Sequence, residues 1–263
     1  MRLRLIVDGH RPPPHNMALD EALASSPDMR EYTLRLYQWW PPTLSIGRSQ
    51  PISEVNTDVA RGLSVEMIRR PTGGRAIYHD PGDYTYSITA PQETPLYTAG
   101  VREAAHIVAE IVAKALKRLG LNARARGPVP YKPRGPICLL AEGSGDVLAG
   151  DYKVAASAAL KTPRRLLVHG VILTRSRPTR WLSLIRHTPQ EAVQYQRTIR
   201  GIEELGVEAD MLSLAQALEQ AAEEVLGVEA YSAYYTYNEL VLAGELRGKY
   251  SSTVWNVRGV LRL

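Results

Sequence analysis

Phenylalanine is absent from the 263 residues, and cysteine occurs once, at position 138. A single cysteine excludes an intramolecular disulfide and any metal site built on a cysteine cluster. The six histidines stand at 10, 15, 79, 106, 169 and 187, with no HxH or HxxxH spacing, so no metal is expected. No apolar run approaches the roughly 18 residues of a membrane span. The opening MRLRLIVDGH has too short an apolar segment for a signal peptide and reads as a first strand. A cytoplasmic protein with no membrane contact is expected. No helix combines clustered Lys and Arg with groove-reading geometry, and no aromatic stacking platform is visible, so no nucleic-acid partner is expected either.

What is present is enough apolar material, 44% of residues, for a sizeable core in one large domain or one plus an appendage. The charge is uneven. Residues 1–200 hold 28 Lys and Arg against 17 Asp and Glu, a balance of +11, and residues 201–263 hold 4 against 10, a balance of −6. The basic part suits an acidic partner, a small acidic carrier protein being one candidate and nucleic acid another; a merely soluble Arg-rich surface is the plain alternative. The sign change near 200 suggests a core over 1–200 and a C-terminal helical extension over 201–263 packed on it, with a single domain over 1–263 as the alternative.

Periodicity assigns the elements. Strands are expected at 3–7, 33–39, 43–47, 65–68, 76–78, 84–87, 146–149, 153–159 and 166–174. Asn16 is expected to cap a short helix whose acids, Asp20 and Glu21, lie at the surface. The longest helix spans 99–119, with apolar residues keeping an i, i+3, i+4 rhythm and Gly120 ending it. Further helices are expected at 56–61, 181–184, 189–193, 211–226 and 239–246. The segment 127–136 holds prolines at 128, 130, 133 and 136, so it is a loop on the surface or over a site.

The chemistry concentrates in RRPTGGRAIYHDPGDYTYS, residues 69–87. Gly73 and Gly74 permit positive φ and close approach of a ligand to the backbone, leaving their amides as donors for an oxygen-rich group. A plain glycine hairpin turn is the competing reading. Arginines just before the turn and a His-Asp pair just after it are polar groups on strands that should be buried, which favours a site.

This stretch resembles the motif RR-x-[ST]-GG-x-A-x-x-H-D of the lipoate-protein ligase and octanoyltransferase family, related in fold to the biotin protein ligases. NMALDEAL (16–23) is similar to the family's opening helix, and PPTLSIGRSQ (41–50) to a segment bordering its acyl pocket, where Trp39, Trp40 and Leu44 are candidate lining residues. GDYKVAASA (150–158), LLVHGVIL (166–173) and LAGELRGKYSSTVWN (242–256) resemble further family strings. Arg75 and Thr85-Tyr86-Ser87 match members that use a mid-chain cysteine.

The resemblance implies an α+β fold: a mixed, mostly antiparallel central sheet flanked by helices. It implies Cys138 and Lys153 as catalytic residues. It also implies Arg70, Thr72, Gly73, Gly74, Arg75, His79, Ala156, Ser157 and His169 as substrate-binding residues. On this reading Cys138 takes octanoate from acyl carrier protein as a thioester and passes it to a lysine of a lipoyl-domain acceptor protein, such as the H protein of glycine cleavage. The Lys153 ammonium would favour the thiolate and hold the carbonyl oxygen or place a proton. Taken alone, a lone cysteine is more often an inert small hydrophobe and a hairpin lysine more often solvated. Two departures touch substrate detail: Cys138 is followed by LLAEG where the family shows F-x-x-P-S, and Ala156 replaces a glycine. No cofactor is required. ATP and Mg enter only if the chain is instead an ATP-dependent lipoate ligase, and such ligases commonly carry a third glycine where Arg75 stands.

Overall fold

The computed structural model describes residues 1–27 and 30–259. In chain order the elements are β1 (Arg2–Arg11), α1 (Pro13–Ser25), β2 (Tyr32–Trp39), β3 (Thr43–Ile46), α2 (Thr57–Gly62), β4 (Glu66–Arg69), β5 (Ile77–His79) and β6 (Tyr84–Pro91). Next come α3 (Pro95–Thr98), α4 (Gly100–Arg118), β7 (Ala123–Ala125), β8 (Val147–Ala149), β9 (Tyr152–Lys161) and β10 (Arg165–Ile172). The chain continues through α5 (Pro178–Ser183), α6 (Pro189–Thr198), α7 (Met211–Leu226), β11 (Glu229–Ser232), α8 (Tyr237–Ser251) and α9 (Thr253–Arg258).

The strands form an eight-stranded sheet in the order β11-β1-β2-β6-β10-β9-β8-β7 and a three-stranded sheet in the order β4-β3-β5. In the large sheet β1 runs parallel to both β11 and β2, and every other neighbouring pair is antiparallel. The fold is therefore the expected mixed, mostly antiparallel α+β architecture.

Alternation along the central strands divides the sheet into two different faces. Tyr84, Tyr86, Ile88 and Ala90 join Leu34, Leu36, Leu166 and Val168 in a core that packs under α4 and α7. The opposite face holds polar side chains. Register aligns His169 with Ser87, and Ser87 with Arg35, so three polar residues from β10, β6 and β2 stand side by side beneath α1. That buried polar face is where the chemistry collects.

The stretch beyond residue 200 is woven into this frame. There α7 lies on α4, β11 pairs with β1, α8 packs on α1, and α9 sits against β4.

Two expectations about α1 are corrected. Pro13 occupies the first helical turn and Pro12 is the N-cap, because proline's fixed φ and missing N–H cost nothing there. Asn16 lies inside the helix, fully buried, and its amide donates to the carbonyls of Arg11 and Gln38. Asp20 is fully buried as well, not a surface group. Trp40 also departs from its expected role, being 61% exposed while Trp39 is buried. Four short elements, α3, β7, β11 and α9, were not expected.

Candidate active site

The glycine turn is built from the inside. Arg70 is buried at the end of β4, and its guanidinium donates to the carbonyl of Gly73 at 2.7 Å, of Arg75 at 2.8 Å and of Ser45 at 3.2 Å. A trans peptide holds its C=O and N–H on opposite sides. With the Gly73 carbonyl drawn toward Arg70, the Gly74 N–H points away from it, and Gly74 takes a φ of +89°. Gly47 completes the turn, since a Cβ there would lie 2.0 Å from the Gly74 oxygen. Arg69 faces the other way, donating to the carbonyls of Gly47, Arg48, Gln50, Trp255, Asn256 and Val257. Arg75 points outward to Glu54 at 3.2 Å.

Cys138 is attached to this turn by the backbone. Ala76 donates to the carbonyl of Pro136 at 3.1 Å and Cys138 donates to the carbonyl of Ala76 at 2.9 Å, so the end of the proline-rich loop runs as a short bridge along the glycine strand. A single 3-10 turn, Cys138–Leu140, follows. Cys138 is partly exposed.

Two cavities meet at Cys138. One is a slot with about 380 Å³ of empty space, mouth included, lined by Met17, Tyr37 and Trp39, by Arg70, His79 and His169, and by Ala156 and Val171. The other is a wider groove of about 940 Å³ lined by Gly73, Gly74, Arg102, Tyr131 and the Gly143–Gly145 segment. Cys138, Ser157 and Ala158 border both. Eight of the expected site residues thus line one cavity or the other: Cys138, Arg70, Gly73, Gly74, His79, Ala156, Ser157 and His169. Thr72 touches the slot through His169, which it meets at 2.7 Å. Arg75 lies outside both linings.

Lys153 is placed differently. Its amine is buried, 2.9 Å from Asp146 Oδ1, and donates to the carbonyl of Ala141 at 2.6 Å, the residue that closes the Cys138 turn. It lines a separate cleft with Ala141, Gln194 and Thr198, and no hydrogen bond joins it to Cys138.

The histidines are held, not loose. His79 stacks on Trp39 with ring centroids 4.5 Å apart and meets Ser45 Oγ at 2.9 Å. Burial, with Arg70 adding to it, pushes His79 well below the ordinary histidine range and keeps it neutral. His169 Nδ1 lies 2.9 Å from Asp20 Oδ2. Asp20 also accepts from Arg35 at 2.9 Å, Tyr37 at 2.8 Å and Ser87 at 3.0 Å. Burial alone would raise the Asp20 carboxyl, but the bonds from His169 and Arg35 outweigh it and leave Asp20 below the ordinary carboxylate range. Asp20 is the buried acid that composition gave no reason to select. Its signal was positional: Asn16 and Asp20 are four apart on the helix side that also buries Leu19 and Leu23.

Among the described residues no group of three or more His, Cys, Asp or Glu is placed to hold a metal ion, and no helix is long and apolar enough to cross a membrane.

Known proteins resemble this chain over nearly its whole length. Residues 12–225 match the profile of the lipoyl protein ligase A/B catalytic domain. A Halalkalibacterium halodurans protein named octanoyltransferase LipM is 31% identical over 97% of this chain and 98% of its own. The protein of the same name from Geobacillus kaustophilus is 31% identical with the same coverage. Among solved structures, lipoate-protein ligase A bound with ATP superposes with a TM-score of 0.85 at 24% identity, covering 99% of this chain and 100% of that one. A bi-partite lipoate protein ligase from Thermoplasma acidophilum, studied with its E2 lipoyl domain, gives 0.80 at 24% identity, covering 100% and 98%. The slot, the glycine turn and these likenesses together establish that the chain belongs to the lipoyl protein ligase A/B catalytic-domain family.

Proposed function

We propose that this protein is an octanoyltransferase of protein lipoylation that uses Cys138 as its acyl carrier. The donor is octanoate carried as a thioester on acyl carrier protein, and the acceptor is a lysine of a lipoyl domain, such as the H protein of glycine cleavage. The observation that carries the reading is the position of Cys138 on the borders of both a narrow, largely apolar slot and a wide groove. The slot suits a medium-length acyl chain, and the groove suits the arm that delivers or receives it.

In the first half-reaction the Cys138 thiolate attacks the thioester carbonyl carbon. A new C–S bond forms, the bond to the donor sulfur breaks, and the donor leaves as a thiolate that takes up a proton. In the second, the neutral acceptor amine attacks the same carbon, the Cys138 thiolate leaves, and the amine gives up a proton as the amide forms. The outward N–H of Gly74 is a donor for the carbonyl oxygen as negative charge develops on it. Lys153 acts through the backbone, fixing the Cys138 turn by its bond to the Ala141 carbonyl. On this reading neither half-reaction needs a cofactor, and the enzyme works in the cytoplasm on acidic carriers.

The alternative, ATP-dependent lipoate ligation, is favoured by the likeness to lipoate-protein ligase A bound with ATP. That reaction needs ATP and Mg and does not need Cys138. Cys138→Ser separates the two: loss of transfer from octanoyl carrier protein is the expected result. A Cys138→Ser variant fully active with ATP and lipoate would establish ligation instead.

A further inference from the structure

We propose that Arg70, and not Lys153, is the counter-charge of the Cys138 sulfur, and that Asp20, His169 and Thr72 are positioning residues that keep its guanidinium in place.

Arg70 is 4% exposed, and among the described residues no carboxylate is paired with it. Its hydrogen bonds go to carbonyls of Ser45, Gly73 and Arg75 and to the hydroxyls of Thr72 and Ser45. Neutral oxygens satisfy the N–H groups but do not cancel the charge, and a buried cation without an anion is costly. Arg4 pairs with Glu239 and Arg35 with Asp8 and Asp20, whereas Arg69, like Arg70, donates to carbonyls; what distinguishes Arg70 is that it opens onto the slot beside Cys138. Arg70 lines the same slot as Cys138, so a thiolate there supplies the missing negative charge. Burial pulls the Arg70 guanidinium down from its ordinary value, and the field of Cys138, followed by that of Tyr131, opposes it.

Lys153 is already neutralised. It has Asp146 at 2.9 Å and opens onto a different cleft. The other titratable groups facing the sulfur are His79 and His169 from the slot, and Arg102 and Tyr131 from the groove. His79 is neutral, and Arg102 is exposed and screened by solvent.

The positioning chain is continuous from Asp20 to Arg70. The ionised Asp20 takes the Nδ1–H of His169. His169 Nε2 meets the Thr72 hydroxyl at 2.7 Å, and Thr72 Oγ1 accepts from Arg70 Nε at 3.1 Å. The guanidinium is thus held from the α1 side of the sheet as well as by the glycine turn.

The inference rests on the proposed use of Cys138 but is tested without any acyl donor. The readout is alkylation of Cys138, the chain's one cysteine, by neutral iodoacetamide and by anionic iodoacetate at neutral pH. Arg70→Gln is expected to slow iodoacetamide by about tenfold or more and to lower the iodoacetate-to-iodoacetamide rate ratio, a change that general loosening would not produce. Thr72→Val is expected to give a smaller change in the same direction, and Lys153→Met to leave the ratio unchanged. Wild-type rates in folded Arg70→Gln, or a larger loss of the ratio in Lys153→Met, overturn the proposal. If circular dichroism shows Arg70→Gln unfolded, Thr72→Val decides: a lowered ratio supports the proposal and a wild-type ratio overturns it. Whether the wild-type protein accepts octanoate is measured separately, so failure of the reaction and failure of this inference remain distinct.

Discussion

A methyl group on Gly47 would collide with the backbone of Gly74, not with a side chain that can swing away. Gly47→Ala is therefore expected to cost about 1–3 kcal/mol of stability. It should also reduce acylation of Cys138, because the displaced Gly74 carbonyl adjoins the peptide whose amide faces the groove. Unchanged melting temperature and acylation would show that the turn adapts freely. A second residue gives a pH effect. Asp83 accepts from the Thr174 N–H at 2.8 Å and its hydroxyl at 2.9 Å, yet burial outweighs these bonds and pushes its carboxyl up to about 7. A carboxyl that holds its proton more tightly in the folded state adds stability that is complete below the ordinary aspartate value of 3.8 and is lost as pH rises through about 7. Asp83→Asn should flatten the fall in melting temperature between roughly pH 4 and 7; an identical slope in the variant would refute it. At this scale the sequence was partly legible. The glycine turn and both of its flanking polar pairs could be read directly, because glycine and charge on buried strands are local signals. Asp20 could not, because its partners Arg35, Ser87 and His169 come from three separate strands.

At the scale of elements, strong periodicity was sufficient and short elements were not. The rhythm of 99–119 appears as α4 with Gly120 at positive φ beyond it, and the Gly150-Asp151 turn joins β8 to β9. Strand β7 is three residues long and has no periodicity to read; it exists because β8 offers it an edge. Helix α9 follows α8 after a break at Ser252, whose hydroxyl accepts from the Val254 N–H. Its importance lies in what it holds: Arg69 ties its carbonyls to those of the Gly47–Gln50 turn. Lysine cannot span both sets from one position, since its ammonium is a point charge and the guanidinium is a fork. Arg69→Lys is expected to lower stability by at least about 2 kcal/mol. Limited proteolysis should then cut first near residues 250–259. Cleavage elsewhere first, with wild-type stability, would show that α9 is held by its apolar contacts alone.

At the scale of the whole molecule, the fold class was legible through family strings spread from residue 16 to residue 256, whereas the pairing order of the sheet was not. Parallel pairing of β1 with both β2 and β11 joins segments some 30 and 230 residues apart, and no local pattern encodes such contacts. The uneven charge is also a whole-molecule property. With +11 over residues 1–200, transfer from an acidic carrier protein should slow steeply as salt rises, while transfer from a small, uncharged octanoyl thioester should not. Equal salt dependence for both donors would remove the electrostatic case for a carrier. The central claim, a covalent octanoyl group on Cys138, has a direct measurement: mass spectrometry of the protein after incubation with octanoyl carrier protein and no acceptor. The account predicts a gain of one octanoyl group on the peptide containing Cys138, discharged when a lipoyl domain is added. An unmodified Cys138 peptide, alongside a lipoyl domain that is octanoylated in the same mixture, would contradict it.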